Sequence, residues 1–114
     1  MASQQIEIDP AAVAERLQRE PGLRLIDVRE PYEHEAGHIS GDRHIALTEL
    51  SSQAGELTGD GAVVFYCRTG SRSLMAAQAL RASGLEAYSM TGGLVRWAQE
   101  GRPLAPEGGR VADH

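Results

Sequence analysis

The sequence predicts an α/β domain in which a central, mainly parallel sheet of about five strands carries helices on both faces. Three observations lead to this prediction. Strand-like and helix-like segments alternate along most of the chain. The strongest strand, AVVFYC (62–67), has no charged residue, as expected for a strand that is covered on both faces. A length of 114 residues and a hydrophobic content of 41% suit one domain with a single, small core.

The first half of the chain supplies three strands and three helices. QIEI (5–8) alternates polar and apolar residues, as a short edge strand does. DPAAVAERLQR (9–19) opens with an N-cap residue and a proline at the first helical position, and a Pro-Gly pair ends this helix soon afterwards. The further predicted elements are a compact strand at LRLIDV (23–28), a short helix at 31–36, a brief strand or extended link at RHIAL (43–47) and a helix at TELSSQAGEL (48–57).

The second half repeats the alternation more clearly. A turn at 59–61 precedes AVVFYC, whose β-branched and aromatic residues favour a strand. The segment 71–83 is rich in Ala and Leu, and Gly84 stands where a helix C-terminus favours glycine. EAYSM (86–90) is a further strand, and TGGLVRWAQEG (91–101) is the last helix. The pattern then stops, so we expect a domain over 1–103 and a flexible C-terminal tail over 104–114.

Composition excludes several classes of function. A formal net charge of −5 argues against a nucleic-acid partner, because phosphate binding requires a basic surface. No apolar run is long enough to span a membrane, and MASQQIEIDP (1–10) lacks the features of a secretory signal. The chain has one cysteine, which excludes an internal disulfide and a cysteine-based zinc site. We therefore expect a reducing, cytoplasmic setting.

That single cysteine, Cys67, stands between the strongest strand and the best helix. In a parallel sheet, ligands bind beyond the carboxyl ends of the strands. The free N–H groups and the dipole of a helix N-terminus favour an anion there, and a thiolate is an anion. Arg68 and Arg72 add positive charge, and Gly70 allows successive amides to converge. These neighbours indicate a nucleophilic thiolate beside a site for a small anionic substrate.

The length of the loop narrows the chemistry. Cysteine phosphatases use a Cys-x5-Arg loop whose amides surround a tetrahedral phosphate. Here four residues separate Cys67 from Arg72, so the loop is one residue shorter. A tighter ring has less room for phosphate and suits a single sulfur atom carried on Cys67.

Three segments resemble the signatures of single-domain rhodaneses, which are sulfurtransferases. LIDVREPYEHEAGHISGD (25–42) resembles the first signature of that family, VVFYCRTGSRS (63–73) its active-site segment, and MTGGLVRWAQEGRPL (90–104) its closing signature. The resemblance covers about 6–103 and implies a rhodanese-like fold. At 41–42 the sequence has Gly-Asp where the family usually has Gly-Ala, a departure that we expect to affect packing and not activity.

The resemblance implies a two-step transfer of sulfur. The thiolate of Cys67 takes the outer sulfur of an anionic donor such as thiosulfate and becomes a persulfide, and cyanide or a thiol then accepts that sulfur. A sulfur-relay protein is a further partner that fits this scheme, and no cofactor is expected. The expected substrate-binding residues are Arg68, Thr69, Gly70, Ser71, Arg72 and Ser73. Two alternatives remain open: a cysteine-dependent phosphatase or arsenate reductase, and a non-catalytic regulatory module of the rhodanese type.

Other polar residues of the first signature admit simpler interpretations. His34 and His38 have a spacing that could bind a metal on a helix, but Gly37 interrupts the helix and no third ligand is obvious, so we expect no metal site. Asp27 and Arg29 end a strand near the expected site and fit a salt-bridged turn at least as well as a catalytic role.

Overall fold

The computed structural model describes residues 5–57 and 61–113. Within these ranges the chain alternates five strands with five α-helices, as the sequence predicts. In chain order the elements are β1 (Glu7–Ile8), α1 (Pro10–Arg19), β2 (Arg24–Asp27), α2 (Pro31–Ala36), β3 (Arg43–His44), α3 (Leu50–Gln53), β4 (Val63–Tyr66), α4 (Ser71–Ala82), β5 (Ala87–Met90) and α5 (Gly93–Gln99). The predicted turn at 59–61 lies mostly outside the described residues.

The five strands form one sheet in the order β1-β5-β4-β2-β3, and every pair of neighbouring strands is parallel. The strongest predicted strand, β4, is central, and the weakly patterned β1 and β3 are the edges. This confirms the predicted parallel α/β architecture. Because all strands run in one direction, their carboxyl ends share one edge of the sheet, where the loop after β4 lies.

Alternating side chains of the buried strands build two core layers, one on each face of the sheet. On one face, Val63 and Phe65 of β4 pack with α3 and α4. On the other face, Val64 and Tyr66 pack with α1 and α5. Because both faces are covered, β4 contains no exposed residue, which explains its uncharged sequence.

Local signals fix the helix boundaries. The side chain of Asp9 accepts a hydrogen bond from the N–H of Ala12 at 2.8 Å, and Pro10 is the first residue of α1, as predicted. In α2, Glu30 and Glu33 form a reciprocal capping box. Gly84 follows α4 with φ +96°, a left-handed conformation that suits glycine.

One segment differs from the sequence prediction in its secondary structure. The segment 48–57, predicted as one helix, consists of a 3-10 turn (Leu47–Glu49), the four-residue α3 and a second 3-10 turn (Ala54–Leu57). Only Leu50 and Leu57 of this stretch are buried, so little apolar surface supports a longer helix.

The described part of the tail, 104–113, contacts the domain, and its predicted flexibility stays a prediction. Ala105 forms an antiparallel bridge with His38, and the N–H of Arg110 donates to the carbonyl of Ala36 at 2.8 Å. Ala112 is 6% exposed. Backbone hydrogen bonds hold the tail together with the side chains of Leu104 and Val111, which pack against the core layer beneath α1 and α5. These isolated apolar residues form no helix or strand periodicity, so the sequence of the tail looks featureless.

None of the described helices is both long and apolar enough to cross a membrane.

Candidate active site

The candidate site is the loop that joins β4 to α4. Cys67 directly follows β4 at the carboxyl edge of the sheet, and its side chain is fully buried. Gly70 is the N-cap of α4 with φ +112°, where any other L-residue would be strained. This left-handed residue turns the chain so that the first amides of α4 face back toward Cys67.

Backbone amides surround the sulfur. Sγ of Cys67 accepts hydrogen bonds from the N–H groups of Gly70, at 3.0 Å, and of Ser73, at 3.4 Å. Within residues 5–57 and 61–113, no acceptor occurs for the N–H groups of Arg68, Thr69, Ser71 and Arg72. Two N–H donors on the sulfur, with further unpaired N–H groups at the start of a 12-residue helix, make a favourable environment for an anion. The local geometry therefore agrees with the anion cradle expected from the sequence.

Two hydroxyl groups lie beneath the sulfur. Oγ of Ser73 is 3.5 Å from Sγ of Cys67 and 3.1 Å from the carbonyl oxygen of Gly70. Oγ of Ser89, on β5, is 2.7 Å from Oγ of Ser73. Both serines are fully buried. Ser73, expected as a substrate-binding residue, thus contacts the sulfur from inside the domain. No sequence pattern points to Ser89, because it comes 22 positions after Cys67 in an otherwise ordinary strand.

Arg72 has a carboxylate partner that the sequence analysis did not pair with it. Its two terminal nitrogens donate to the two carboxylate oxygens of Glu33, at 2.9 and 3.0 Å. Glu33 is fully buried and also accepts the N–H of Glu30. Burial alone would raise the pKa of Glu33, but the hydrogen bonds from Arg72 and Glu30, with the charges of Arg72 and Arg29, outweigh it and hold that pKa below its usual range. The ion pair fixes the direction of the Arg72 guanidinium next to the loop.

Arg68, the other loop arginine, points toward the C-terminal segment. Its Nε donates to the carbonyl of Ala112 and one terminal nitrogen donates to Asp113, both at 3.2 Å. The Arg68 side chain is 29% exposed and that of Asp113 is 97% exposed. Such an exposed ion pair contributes little to stability.

Thr69 and Ser71 are the exposed members of the loop. Their hydroxyl groups make no hydrogen bond within the described parts of the chain. These two side chains lie at the surface, whereas Ser73 is buried beside the sulfur.

The start of α5 holds the loop in place from behind. The N–H groups of Leu94 and Val95 donate to the carbonyls of Cys67 and Arg68, at 2.8 and 3.0 Å. Gly93 has φ +59°, and a Cβ atom there would lie 2.4 Å from the carbonyl oxygen of Arg68. Gly93, the second glycine of the closing signature, is therefore needed for close contact between α5 and the loop.

The buried pair Asp27 and Arg29 forms the salt-bridged turn that the sequence analysis considered. Two guanidinium nitrogens of Arg29 donate to the two carboxylate oxygens of Asp27, at 2.9 and 2.8 Å, and one of them also donates to the carbonyl of Gly37 at 2.7 Å. Burial would raise the pKa of Asp27, but the hydrogen bonds and the charge of Arg29 hold it below its usual range. The pair links the end of β2 to Gly37, which follows α2, and within the described residues it makes no hydrogen bond to Cys67.

His34, His38 and Asp42 are the one group of three ligand-bearing residues in the described ranges whose ligand atoms lie within 4.8 Å of one another. The rings of His34 and His38 are stacked, with centroids 3.9 Å apart and planes 13° apart. One nitrogen of each ring is already engaged, because Nδ1 of His34 lies 2.9 Å from a carboxylate oxygen of Asp27 and Nδ1 of His38 lies 2.8 Å from the carbonyl oxygen of His34. Asp42 accepts a hydrogen bond from the hydroxyl of Tyr66 at 2.6 Å, so the departure at 41–42 adds a polar contact to the core.

The fold and the loop together define a parallel α/β domain with a buried cysteine in an amide cradle at the carboxyl edge of its sheet. The family model of the rhodanese-like domain matches residues 9–100. The chain therefore belongs to the rhodanese-like family, as the three sequence segments indicated.

Individual relatives support this assignment. A protein of Allochromatium vinosum named "Sulfurtransferase" is 34% identical over 104 residues, which cover 90% of this chain and 97% of the relative. The Bacillus subtilis protein YqhL is 47% identical over 75 residues, or 65% of this chain and 60% of its own length. The crystal structure of a rhodanese-related protein from Thermoplasma volcanium has a TM-score of 0.82 at 30% identity and covers 89% of this chain and 98% of its own. At the level of the family, these relatives support a sulfurtransferase of the rhodanese type.

Proposed function

We propose that this protein transfers sulfane sulfur from a small anionic donor to a thiophilic acceptor through a persulfide on Cys67. The observation that carries the proposal is the environment of Sγ of Cys67, which accepts two backbone N–H groups at the start of α4. Donors placed this way stabilise an anionic sulfur before and after it is loaded. No general base is needed when the thiol is already ionised.

The proposed reaction has two balanced steps. In the first, the thiolate of Cys67 attacks the outer sulfur of thiosulfate. A sulfur–sulfur bond forms to Cys67, the sulfur–sulfur bond of the donor breaks, and sulfite leaves with the bonding electron pair. In the second, cyanide attacks the outer sulfur of the persulfide, thiocyanate leaves, and the Cys67 thiolate is restored. A thiol acceptor would instead leave as its own persulfide.

The loop residues divide these tasks. Arg68 offers a guanidinium whose one charged partner, among the described residues, is the exposed Asp113, and whose Nε donates to the carbonyl of Ala112, so it would attract and orient a dianionic donor. The unpaired amides of Thr69 and Ser71, with that of Arg72, would bind the outer sulfur once it is attached to Cys67. Arg72 would act from a fixed position, because the carboxylate of Glu33 already holds its guanidinium group.

The donor that suits this arrangement best is thiosulfate, because the partly exposed guanidinium of Arg68 and the unpaired loop amides suit a small dianion, whereas Glu33 already compensates the charge of Arg72. A comparison of kcat/KM for thiosulfate, mercaptopyruvate and glutathione persulfide tests this choice. We expect the highest value for thiosulfate and a fall in that value with added salt, since salt screens the attraction of Arg68 for the donor. A higher value for mercaptopyruvate would contradict the assignment of the donor without contradicting the persulfide. A reducing compartment, which the single cysteine predicts, would keep Cys67 available as a thiol.

Thiocyanate formation from thiosulfate and cyanide tests the proposed activity as a whole. The wild-type protein should turn over, and Cys67→Ser should lose turnover. Ser83→Ala, an exposed change at the far end of α4, is the matched control and should retain full activity. Equal turnover by wild type and Cys67→Ser would refute the proposal. Turnover of an aryl phosphate that depends on Cys67 would favour a phosphatase instead, and the absence of both activities would favour a regulatory module.

A further inference from the structure

Ser89 is a buried polar residue that neither the fold nor the proposed reaction yet explains. It lies on β5, opposite Phe65 of the central strand, and its side chain is fully buried. A hydroxyl group in such a position destabilises the fold unless it is hydrogen-bonded. Its oxygen lies 2.7 Å from Oγ of Ser73, the residue directly beneath the sulfur of Cys67.

Counting protons fixes the direction of this hydrogen bond. Within the described residues, Oγ of Ser73 is the one partner of the Ser89 hydroxyl, so the single Ser89 proton has no other acceptor. Ser73, in contrast, has two further acceptors in reach: the carbonyl of Gly70 at 3.1 Å and the sulfur at 3.5 Å. The arrangement that leaves no buried proton unsatisfied has Ser89 donating to Ser73.

We propose that Ser89 is a positioning residue for the reactive sulfur. Because Ser89 donates its proton to Oγ of Ser73, the Ser73 hydroxyl can donate its own proton either to the carbonyl of Gly70 or to the sulfur of Cys67. When Cys67 is a thiol, its S–H points at Ser73 and the Ser73 proton goes to the Gly70 carbonyl. When the sulfur is an anion, the Ser73 hydroxyl turns toward it, since a hydrogen bond to an anion is stronger than one to a carbonyl. The inference rests on the proposed function only in that Cys67 reacts as an anion.

The chain Ser89 to Ser73 to Cys67 also strengthens the bond at its end. A hydroxyl that accepts a hydrogen bond becomes a better donor, so a bond from Ser89 polarises Ser73. The effect must pass through Ser73, because no described contact joins Ser89 to the sulfur directly. This dependence separates a positioning role from a general packing role.

The test is a double-mutant cycle read by the ionisation of Cys67. Thiolate absorbance in the ultraviolet is titrated with pH for wild type, Ser89→Ala, Ser73→Ala and the double variant, each against the same protein with Cys67→Ser. We expect Ser73→Ala to move the ionisation midpoint upward by about one pH unit. Ser89→Ala should move it upward by roughly 0.3 unit, the share expected from polarisation and orientation. The double variant should match Ser73→Ala alone.

Two results would overturn the inference. One is an unchanged midpoint in Ser89→Ala, and the other is a double variant in which the two single shifts add in full. Ser89→Thr keeps a hydroxyl group, so its midpoint should lie closer to the wild-type value than that of Ser89→Ala. If Ser89 acted only through its size, the presence of the hydroxyl would not affect the midpoint. Thermal unfolding checks that each variant is folded. The titration needs no sulfur donor, so a protein that never loads sulfur can still show the shift, and failure of the proposed function is distinguishable from failure of this inference.

Discussion

Replacement of Glu33 by glutamine tests the link between the first signature and the cysteine loop. The change keeps the size of the side chain but removes its charge. It also replaces one acceptor by an amide donor that faces the guanidinium of Arg72. Arg72 then keeps at most one of its two hydrogen bonds to this position. The N–H of Glu30 still has an oxygen to bind, so the capping box of α2 is only weakened.

The expected loss of stability follows from these contacts. Hydrogen bonds to charged groups contribute about 1.5–3 kcal/mol each, and removal of one partner from a fully buried pair costs about 3–5 kcal/mol. Arg72 is 23% exposed, so water satisfies part of what it loses. We therefore expect a fall of about 2–3 kcal/mol in the free energy of unfolding at neutral pH, or a Tm lower by roughly 10 °C. Urea unfolding monitored by the single tryptophan, Trp97, measures it.

The sign of the pH dependence provides a second readout. Because the pKa of Glu33 lies below its ordinary value of 4.5, the ionised carboxylate stabilises the fold fully above that value. This stabilisation is lost as the pH falls through the lower pKa of the folded state. The difference between wild type and Glu33→Gln should therefore be largest near neutral pH and shrink under acid conditions. Glu35→Gln, on the exposed side of the same helix, is the control and should change stability by no more than about 0.5 kcal/mol. Equal effects of the two variants, or a difference that does not change with pH, would refute this reasoning.

Two further predictions concern the support of the loop and of the core. Gly93→Ala should lower the free energy of unfolding by about 2–3 kcal/mol and reduce turnover, because the new Cβ would lie 2.4 Å from the Arg68 carbonyl oxygen and the backbone φ is +59°. Gly55→Ala, at a position where a Cβ has open space, is the control and should lose no stability. Equal stabilities of the two variants would contradict the close contact at Gly93. Tyr66→Phe should cost about 1–3 kcal/mol in thermal or urea unfolding, because Asp42 loses a donor and a buried N–H loses its acceptor. Tyr32→Phe, at a half-exposed position, should be neutral, and a neutral Tyr66→Phe would show that the buried hydroxyl is dispensable.

Much of the fold follows from local sequence. The segment AVVFYC (62–67) predicts a strand because it is uncharged and rich in β-branched and aromatic residues. It contains β4, the central strand of the sheet. The N-cap at Asp9 and the stop at Gly84 gave helix ends within a residue or two. The position of Cys67 between a strand and a helix likewise predicted the amide cradle around its sulfur.

What the sequence did not predict depends on contacts between distant segments. Glu33 meets Arg72 across 39 positions and Ser89 meets Ser73 across 16, and neither pair leaves a periodic or local signal. The order of the strands determines both contacts, because β2 and β5 are the two neighbours of β4 in the sheet. Glu33 lies on α2, which follows β2, and Ser89 lies on β5. The C-terminal segment was expected to be flexible because it has no helix or strand periodicity, whereas its contacts with the domain combine backbone hydrogen bonds with a few isolated apolar side chains.

The most direct test of the central claim is the intact mass of the protein after incubation with thiosulfate and removal of excess donor. We expect the mass to increase by one sulfur atom per chain, with the addition located on Cys67 by peptide mapping and reversed by cyanide. Cys67→Ser should gain nothing under the same conditions. A wild-type protein that stays at its original mass, or one that carries the sulfur at another residue, would contradict the account.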